Sequence, residues 1–299
     1  MLEGEGGMNW PRWQRIAQSV EELGFVGLYR SDHFTNPDPP DLDSLELWVS
    51  LTWLASHTKR IEFGALVTPV SFRHPVFTAR MAKDVDDLSG GRLTLGVGAG
   101  WQVREHDMFG FDLLELSQRS DRFQEGVEVI TLLLRSQEPV NYSGKFYQLR
   151  EASLLPRPAK PGRPPILIGG KGPKRTLPLA ARYADEWNVS LVPAAKFAEL
   201  NARFEELLVA NGRKPDEVRR SMMTQVVFGR DEAEVQRLIR ARSSTVTALR
   251  ERGMLVGTAS EVVDQLGELA EAGVQRVMLQ WLELDDLDRL EALARIVLG

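Results

Sequence analysis

The apolar positions of this chain follow two alternating patterns, longer stretches with helical spacing and short continuous runs. The first helical stretch is typical: Ile16, Val20 and Leu23 share one helix face, and Gly24 supplies a left-handed C-terminal cap. The same spacing recurs along the chain. It predicts helices over residues 10–23, 43–57, 75–88, 116–134, 176–183, 194–211, 260–272 and 286–298, and one more that begins at residue 231.

Short apolar runs bounded by polar clusters lie between these helices and are typical of buried strands. The predicted strands cover residues 25–30, 60–67, 92–97, 166–168, 186–191, 222–228 and 276–280. Residues 1–3 supply only part of a further strand, since an ordinary strand has about five or six residues. Either this first strand is unusually short or the natural chain begins upstream of Met1. Residues 245–256 follow neither pattern.

With the first fragment included, the pattern contains eight strand–helix units. Repeated alternation forces parallel pairing with the helices outside the sheet, because parallel neighbours need a crossover connection. Eight units favour an α/β fold with a closed (β/α)8 TIM barrel over a doubly wound open sheet. No linker separates two self-sufficient halves, so we expect one domain over residues 1–299.

One segment breaks the alternation between strands 4 and 5. Residues 140–142 and 145–147 flank the turn signal Ser143-Gly144, which predicts a β-hairpin. The Pro-rich residues 155–165 then carry the chain back to the barrel. The sequence therefore predicts a hairpin insertion over about residues 137–165.

Composition narrows the classes of function. The 299 residues are 43% hydrophobic, and 37 Lys and Arg against 42 Asp and Glu give a net charge of −5. A mildly acidic chain without a basic tract is a poor partner for nucleic acid. The chain has no cysteine, which excludes disulfides, thiolate nucleophiles and iron–sulfur clusters. No apolar run reaches the length of a membrane span and no signal-peptide pattern is present, so we expect a soluble, cytoplasmic protein.

Ligands of such a barrel bind at the carboxyl ends of the strands, in the loops that lead to the helices. The loop after strand 5 begins with Gly169, Gly170 and Lys171, and Lys174 and Arg175 follow. Glycine backbone N–H groups and the positive N-terminus of the next helix would hold an anionic phosphate. A solvated turn with a basic helix start explains the loop equally well.

Three glycines at the end of strand 4, at Gly96, Gly98 and Gly100, invite comparison with a dinucleotide-binding loop. The third glycine comes one residue early for that motif, and no acidic residue closes a ribose-binding strand. We interpret these glycines as room for a flat ligand against the rim of the barrel. A bulge that helps to close the sheet is the alternative.

Among the four histidines, His33 has the clearest chemical context. It follows directly on a predicted strand end beside Asp32, and an aspartate can orient an imidazole and hold its tautomer. His57 falls at the end of a helix, where a cation is favourable. Neither an HxH pair, an HExxH motif nor a GxSxG elbow is present, so we expect no metal site and no serine hydrolase.

Three ordered segments of the chain carry a family resemblance. They are FVGLYRSDHF, LVTPVSFRHPVFTARMAKDVDDLSGGRLTLGVGAGWQVREHDMFGF and PPILIGGKGPKRTLPLAARYADEWNV. Together they resemble the bacterial-luciferase-like monooxygenase superfamily, and within it they are most similar to the oxidoreductases that use the deazaflavin coenzyme F420. The similarity covers nearly the whole chain. It implies a (β/α)8 barrel with an insertion and a flavin or deazaflavin over the strand ends.

The resemblance also implies roles for individual residues. Asp32 and His33 match an acidic and histidine pair near the isoalloxazine-like ring, and Thr68 matches a residue at the polar edge of the ring. Ala65 and Leu66 fall where relatives carry a bulge that backs the ring, often with a non-prolyl cis peptide. The cofactor-binding residues implied by this resemblance are Asp32, Ala65, Leu66, Thr68, Gly98, Ala99, Gly100, Trp101, Gly169, Gly170 and Lys171.

Trp101 departs from one branch of the family. The sugar-phosphate dehydrogenases of that branch have a catalytic glutamate at this position, so we do not expect their chemistry or their substrate here. Glu105 is an acidic residue of the kind that the family carries at this position. Helix capping or a salt bridge to Arg104 or another neighbour explains it equally well.

The function that the resemblance implies is hydride transfer between coenzyme F420 and a small organic substrate. In this hypothesis His33, held by Asp32, stabilises charge or donates the proton, so these two are the predicted catalytic residues. An FMN-dependent monooxygenase is the alternative of the same class, and a non-catalytic flavin-binding protein is the alternative of a different class. Barrels of this family commonly dimerise, and the apolar helix face at residues 45–54 suits a homodimer contact.

Overall fold

Strands and helices alternate along most of the structure, a computed structural model that describes residues 1–299. The helices are α1 (Trp10–Glu22), α2 (Leu47–His57), α3 (Pro75–Leu88), α4 (Val103–Phe109), α5 (Leu116–Arg135), α6 (Thr176–Tyr183), α7 (Ala194–Ala210), α8 (Glu232–Ala241), α9 (Val246–Glu251), α10 (Ala259–Glu271) and α11 (Leu287–Val297). The strands are β1 (Gly27–Arg30), β2 (Glu62–Ala65), β3 (Thr68–Pro69), β4 (Leu93–Gly98), β5 (Val140–Ser143), β6 (Gln148–Ala152), β7 (Ile166–Gly169), β8 (Glu186–Ser190), β9 (Arg219–Phe228), β10 (Leu255–Gly257) and β11 (Arg276–Gln280).

The barrel strands follow one another in the order β1, β2, β4, β7, β8, β9 and β11, and every pair along this path is parallel. Met1 and Leu2 lie between the two end strands. Leu2 forms a parallel bridge with Arg30 of β1, and the N–H of Trp281, just after β11, donates to the Met1 carbonyl at 3.0 Å. These contacts bring the sheet to near closure, and the predicted (β/α)8 barrel is confirmed.

Apolar side chains are buried on both faces of the barrel strands. All six residues of β4 are buried, as expected of a parallel strand that is covered on both sides. The largest apolar cluster joins the strands to the inner faces of the helices. A smaller cluster inside the barrel consists of Tyr29, Leu167 and Met278, which come from three different strands.

Local signals in the sequence explain where several helices begin. The side chain of Asn9 accepts a hydrogen bond from the N–H of Arg12 at 3.2 Å, which caps α1. A capping box starts α10, because the side chain of Glu261 also accepts from the N–H of Thr258 at 2.9 Å. Pro75 occupies the first turn of α3, where its missing N–H has no helical partner to lose.

The insertion between the barrel strands β4 and β7 is a β-hairpin, as predicted. Its strands β5 and β6 pair in the antiparallel sense. The carboxylate of Glu125 on α5 accepts the backbone N–H groups of Lys145 and Phe146, each at 2.8 Å, and thereby fixes the hairpin turn. The hairpin therefore packs on the helix that precedes it.

The structure differs from the sequence prediction in several places. The helix α2 begins at Leu47 and not at residue 43, β9 begins at Arg219 and not at residue 222, and the second strand of the hairpin covers Gln148–Ala152 and not residues 145–147. The predicted strand over residues 60–67 divides into β2 and β3, and residues 245–256 contain the helix α9 and most of β10. The helix α4 was not predicted. Both α4 and α9 have fewer than eight residues, so they are too short for a helical period to show in the sequence.

Candidate active site

A cavity of about 460 Å³ opens at the carboxyl ends of the barrel strands, and its size is that of a ligand pocket. The predicted site residues that line it are Asp32, His33, Leu66, Gly98, Ala99, Gly100, Trp101, Gly169 and Gly170. The structure therefore brings together residues from four separate loops. The other lining residues are Met1, Glu3, Ser31, Val67, Pro69, Glu105, Asn188, Ser190 and Met223.

Three of the predicted cofactor-binding residues lie outside this lining. Ala65 is buried within β2, below the wall of the cavity. Thr68 is also buried, and its hydroxyl donates to the carboxylate of Asp32 at 2.6 Å. Lys171 is exposed next to Gly170, and its Nζ donates to the carbonyl oxygen of Ser190 at 3.3 Å. Thr68 therefore reaches the cavity only through its hydrogen bond to Asp32, and Lys171 lies at the rim of the cavity.

His33 is held by a buried carboxylate. Its Nδ1 lies 2.8 Å from Oε1 of Glu105, a residue of α4 that is 1% exposed. The second carboxylate oxygen of Glu105 accepts the backbone N–H of Phe34 at 3.1 Å. Because Nδ1 is engaged in this way, Nε2 is the ring nitrogen left to exchange a proton with a ligand.

The surroundings of His33 favour its protonated form. Burial lowers the pKa of the imidazole, but the hydrogen bond to Glu105 and the negative charges of Glu5, Glu105 and Glu3 outweigh it and raise the pKa to about 9. Burial, together with the charge of Glu3, raises the pKa of Glu5 to about 7. His33 is therefore an imidazolium at neutral pH, paired with Glu105.

The prediction that Asp32 holds the imidazole of His33 is wrong. Asp32 makes no hydrogen bond to His33; its carboxylate accepts from Thr68 and from two nitrogens of Arg73, of which Nη2 lies at 3.2 Å. Arg73 also binds Glu46 at 2.6 Å. Burial raises the pKa of Asp32 while Arg73 and Thr68 oppose that shift, and the geometry is that of an ion pair. Successive residues of extended chain point to opposite sides, so sequence neighbours at a strand end face different partners.

The wall of the cavity is apolar and is built around Val67. A non-prolyl cis peptide joins Leu66 to Val67, one bond beyond the position that the family resemblance implied. A Cβ at Gly98 would lie 2.5 Å from Val67 Cγ2, and a Cβ at Gly169 would lie 3.1 Å from Cγ1. Both positions therefore need glycine so that Val67 can close over the strand ends.

The loop after β7 combines a tight glycine turn with positive charge. Gly170 has a φ of +132°, its N–H donates to the Asn188 carbonyl at 2.9 Å, and its carbonyl accepts from the indole of Trp187 at 2.8 Å. Arg175, which precedes α6, is paired with Asp121 at 2.5 Å. The ammonium groups of this loop belong to Lys171 and Lys174, both of which are exposed.

Trp101 stands at the mouth of the cavity. It is 59% exposed, and its ring lies 5.4 Å from that of His33 in an edge-on arrangement of 79°. The indole therefore covers one side of the imidazole and still presents a large apolar surface to the cavity mouth.

Sequence reasoning missed several of the polar groups in this region. Arg73 and Glu46 complete the ion pair of Asp32, and for Glu105 the sequence alone does not separate a structural from a functional interpretation. Asn188 lies within the buried strand β8 and donates to the Ser221 hydroxyl at 2.9 Å. A single amide among apolar neighbours near a strand's carboxyl end is a signal that the sequence did offer.

Two kinds of feature are absent from the structure. None of the helices combines the length and the apolar character that a bilayer crossing requires. No group of three or more His, Cys, Asp or Glu side chains is arranged so that it could hold a metal ion.

Comparison with known proteins adds independent evidence. The F420-dependent hydroxymycolic acid dehydrogenase of Mycobacterium tuberculosis is 31% identical over 221 residues, 73% of this chain but only 59% of that relative. The 4-hydroxyprotoasukamycin monooxygenase of Streptomyces nodosus subsp. asukaensis is 25% identical over 99% of this chain and 88% of the relative. A solved F420-dependent secondary alcohol dehydrogenase, bound to an F420-acetone adduct, superposes with a TM-score of 0.84 at 20% identity.

That structural match covers 99% of this chain and 98% of the other, and at this identity it establishes the fold. The family match is made at the level of sequence. Residues 2–252 match the family described as luciferase-like monooxygenase, which is well over half of the chain. The resemblance that the three sequence segments indicated is thereby confirmed, and the chain belongs to the luciferase-like monooxygenase family.

Proposed function

We propose that this chain is an oxidoreductase that transfers a hydride between coenzyme F420 and a small organic substrate, with His33 as its catalytic acid–base group. The observation that carries the proposal is the pair of His33 and Glu105, 2.8 Å apart at the wall of the strand-end cavity. The F420-dependent relatives support the choice of cofactor.

The residues of the cavity fit such a cofactor. Leu66, Val67 and Ala99 supply an apolar surface for a flat ring. The ammonium groups of Lys171 and Lys174, close to the N-terminus of α6, match a phosphorylated side chain. When bound, the deazaflavin donates or accepts the hydride, which is chemistry that no side chain of this protein supplies.

The protein's own contribution is to move a proton and to exclude water. With Nδ1 engaged by Glu105, the imidazolium of His33 donates from Nε2 to the oxygen of a carbonyl that is being reduced. In the reverse direction, the neutral ring accepts the proton of an alcohol. Trp101 covers the ring and keeps the proton transfer sheltered from solvent.

The charge of the cavity argues against a phosphorylated substrate. Its lining includes no lysine or arginine, and its three carboxylates are those of Glu3, Asp32 and Glu105. Asp32 and Glu105 are already paired with Arg73 and His33, and Glu3 forms no ion pair that could be exchanged for a phosphate. An uncharged alcohol or carbonyl compound is compatible with this lining, because it does not place like charges together. The expectation that the chain does not act on a sugar phosphate rests on this lining and on Trp101.

The experiment that tests the role of His33 is its replacement by alanine. Loss of a general acid–base group reduces turnover by about 10²- to 10⁴-fold, while the affinity for the cofactor stays nearly unchanged because Glu105 and the apolar wall remain. His57→Ala is the matched control, since His57 is an exposed histidine on α2 that stacks on Trp53. Equal turnover in the two variants would remove His33 from the mechanism.

Titration of the purified protein with F420 and with FMN tests the choice of cofactor. An FMN-dependent monooxygenase is the second candidate, because a monooxygenase is similar to this chain over nearly its whole length. We expect F420 to bind at least tenfold more tightly than FMN. Tight binding of FMN, with oxygen consumed during turnover, would reverse the ranking. Binding of either cofactor without turnover on a broad panel of alcohols and carbonyls would indicate a non-catalytic protein.

We further infer that the protein is a homodimer. The exposed apolar residues Val49 on α2 and Phe77 on α3 support this inference, because these two helices pack side by side. Light scattering of the wild type and of a Val49→Asp, Phe77→Asp variant tests it. We expect twice the protomer mass for the wild type and the protomer mass for the variant.

A further inference from the structure

Ser71 and His106 form a hydrogen-bonded pair that the proposed hydride transfer does not use. The hydroxyl oxygen of Ser71 lies 2.8 Å from Nε2 of His106. The other ring nitrogen, Nδ1, lies 2.6 Å from the carbonyl oxygen of Gln102. A carbonyl oxygen only accepts hydrogen bonds, so Nδ1 carries the proton of the neutral ring and Nε2 has an electron pair to offer. The Ser71 hydroxyl therefore donates to Nε2, which is the arrangement of a nucleophile and its general base.

The surroundings of His106 favour the neutral ring. His106 is 1% exposed and forms no ion pair, and its nearest aromatic neighbour is Phe72, with ring centroids 5.0 Å apart. A buried charge without a counter-ion is costly, so the ring is uncharged. His33 differs in this respect, because Glu105 binds it directly.

Ser71 lies on a sharp turn at the carboxyl end of the barrel. The N–H of Phe72 donates to the carbonyl of Pro69 at 3.3 Å, so Ser71 is the third residue of a turn that begins at the last residue of β3. Serine nucleophiles of α/β hydrolases also stand on a sharp turn after a strand, although Ser71 lies outside a GxSxG motif. Ser71 is partly exposed, whereas His106 is buried on α4 and held in place.

Gly100 leaves space and hydrogen-bond donors beside the pair. A Cβ at this position would lie 3.0 Å from the hydroxyl oxygen of Ser71 and 3.4 Å from Nε2 of His106, so any other residue would crowd the pair. The backbone N–H groups of Ser71 and Gly100 make no hydrogen bond to the rest of the protein. Free N–H groups next to a nucleophile stabilise the oxyanion that forms when a carbonyl is attacked.

We propose that Ser71 is a nucleophile activated by His106, and that the pair accepts an acyl group from a small, uncharged carboxylic ester. This activity is separate from the proposed hydride transfer, because it uses neither His33 nor a cofactor. Gly100 also belongs to the lining of the strand-end cavity, so the pair lies at the edge of that cavity. An uncharged ester suits this position, because the lining holds carboxylates that would repel an anion.

The step is an acyl transfer without a change of oxidation state. Oγ of Ser71 attacks the carbonyl carbon of the ester, and the hydroxyl proton passes to Nε2 of His106. The bond between that carbon and the leaving oxygen then breaks, and the leaving oxygen takes the proton from Nε2 as an alcohol departs. Water attacks the acylated serine in the same way, which releases a carboxylic acid and restores the hydroxyl.

Labelling with diisopropyl fluorophosphate tests the nucleophile. Attack by Oγ forms an oxygen–phosphorus bond and expels fluoride, and mass spectrometry of peptides locates the label. We expect the label on Ser71 in the wild type and in the control Ser120→Ala, because the hydroxyl of Ser120 only donates to the Leu116 carbonyl. In Ser71→Ala this label should be absent. In His106→Asn the rate of labelling at Ser71 should fall by about 10²- to 10⁴-fold, the usual contribution of a general base.

Hydrolysis of p-nitrophenyl acetate by the same proteins supplies a second measurement. We expect turnover in Ser71→Ala to be at least about tenfold lower than in Ser120→Ala. Thermal unfolding shows whether each variant is folded, and the comparison of these two serine variants does not depend on His106→Asn. Labelling of Ser71 no faster than that of Ser120 in the wild type would overturn the proposal. Equal ester hydrolysis in the two folded serine variants would overturn it as well.

Discussion

Two buried carboxylates lie close to His33 in the fold, and each has its own cation. Asp32 is adjacent to His33 in the sequence but pairs with Arg73, whereas Glu105, 72 positions further along, binds the imidazole. A buried carboxylate is stable only when it is paired or hydrogen-bonded, so each of these acids needs a separate partner. This division places the acid that controls the pKa of His33 on α4, outside the loop of His33.

The pH dependence of turnover follows from this pair. Carbonyl reduction needs the protonated ring, so activity should fall as the pH rises through the pKa of His33, which is about 9. Glu105→Gln removes a hydrogen bond and a charge that raise this pKa, while burial still lowers it. We expect the fall in kcat/KM to move to lower pH by at least one unit.

The control for this experiment is Asp41→Asn. Asp41 binds Arg104 at 2.6 Å, on the same helix as Glu105, but does not touch His33. Its replacement should leave the pH profile where it is. A profile of the Glu105→Gln variant that coincides with that of the wild type would show that Glu105 does not set the protonation of His33.

The same pKa makes a prediction about stability. The pKa of His33 is higher in the folded state, about 9, than in the unfolded chain, about 6.5, so protonation favours folding. This contribution, about 3 kcal/mol, is complete below pH 6.5 and is lost as the pH rises through 9. Urea unfolding of the wild type and of His33→Asn should therefore differ more at pH 6 than at pH 10, by roughly that amount.

His57→Asn provides the baseline for that comparison, because His57 is exposed at the end of α2. The change that this variant shows between the two pH values is subtracted from the change that His33→Asn shows. A difference between wild type and His33→Asn that does not change with pH would contradict the assignment of a raised pKa to His33.

At the scale of helices and strands, the sequence predicted the strands and helices of the barrel, some of them with exact bounds, and missed the short helices α4 and α9. The helices α3 and α6 and the strand β11 have the bounds that the pattern predicted. In each of these elements the apolar residues recur with a regular spacing, and a proline or a polar residue marks where the element begins or ends. The helices α4 and α9 turn fewer than two full turns, and tertiary contacts rather than periodicity determine them.

The candidate site was predictable to the same extent. Its loops follow strand ends, which a β/α alternation locates from the sequence, and Asp32, His33, Gly98 and Gly169 were found in this way. The pairing of side chains was not predictable, since the contact of His33 with Glu105 depends on where α4 lies. The roles of the predicted residues in cofactor binding and catalysis stay predictions.

The close approach of β4 to Val67 gives a prediction at this scale. In Gly98→Ala the new methyl group would meet Val67 at 2.5 Å, so the residues at the wall of the cavity must shift. Overpacking of this kind costs about 1–3 kcal/mol of stability. We expect the Tm to fall and the affinity for the bound cofactor to drop at least tenfold, as measured by thermal unfolding and by titration.

Gly267→Ala on α10 is the matched control, because a Cβ at Gly267 meets nothing within 4 Å. Alanine in a helix interior stabilises it by about 0.5–1 kcal/mol relative to glycine, so the control should unfold at a slightly higher temperature and bind the cofactor normally. Normal cofactor affinity in Gly98→Ala would show that Val67 is not part of the surface that binds the cofactor.

At the scale of the whole molecule, the apolar core is divided. The barrel and most of its helices share one large cluster, whereas the segment from α8 to β10 packs around a separate cluster of seven residues. That cluster contains Val235 and Ile239 of α8, Leu249 of α9 and Val256 of β10. β10 pairs only with the carboxyl end of β9, so few hydrogen bonds tie this unit to the barrel.

Separate clusters of this kind open separately, because each cooperative unit loses its own contacts when it unfolds. We expect native-state hydrogen exchange to show lower opening free energies for the amides of α8 and β10 than for those of β4. Leu249→Ala should reduce the opening free energy of this unit by about 2–5 kcal/mol, the usual cost of emptying a buried leucine site. The exchange of β4 should hardly change, because its contacts remain intact.

Leu95→Ala in β4 should instead lower the opening free energy of β4 and also that of the segment from α8 to β10, since that segment cannot stay paired once β9 and its neighbours open. Equal effects of the two substitutions on every strand would show that the whole chain unfolds as one unit.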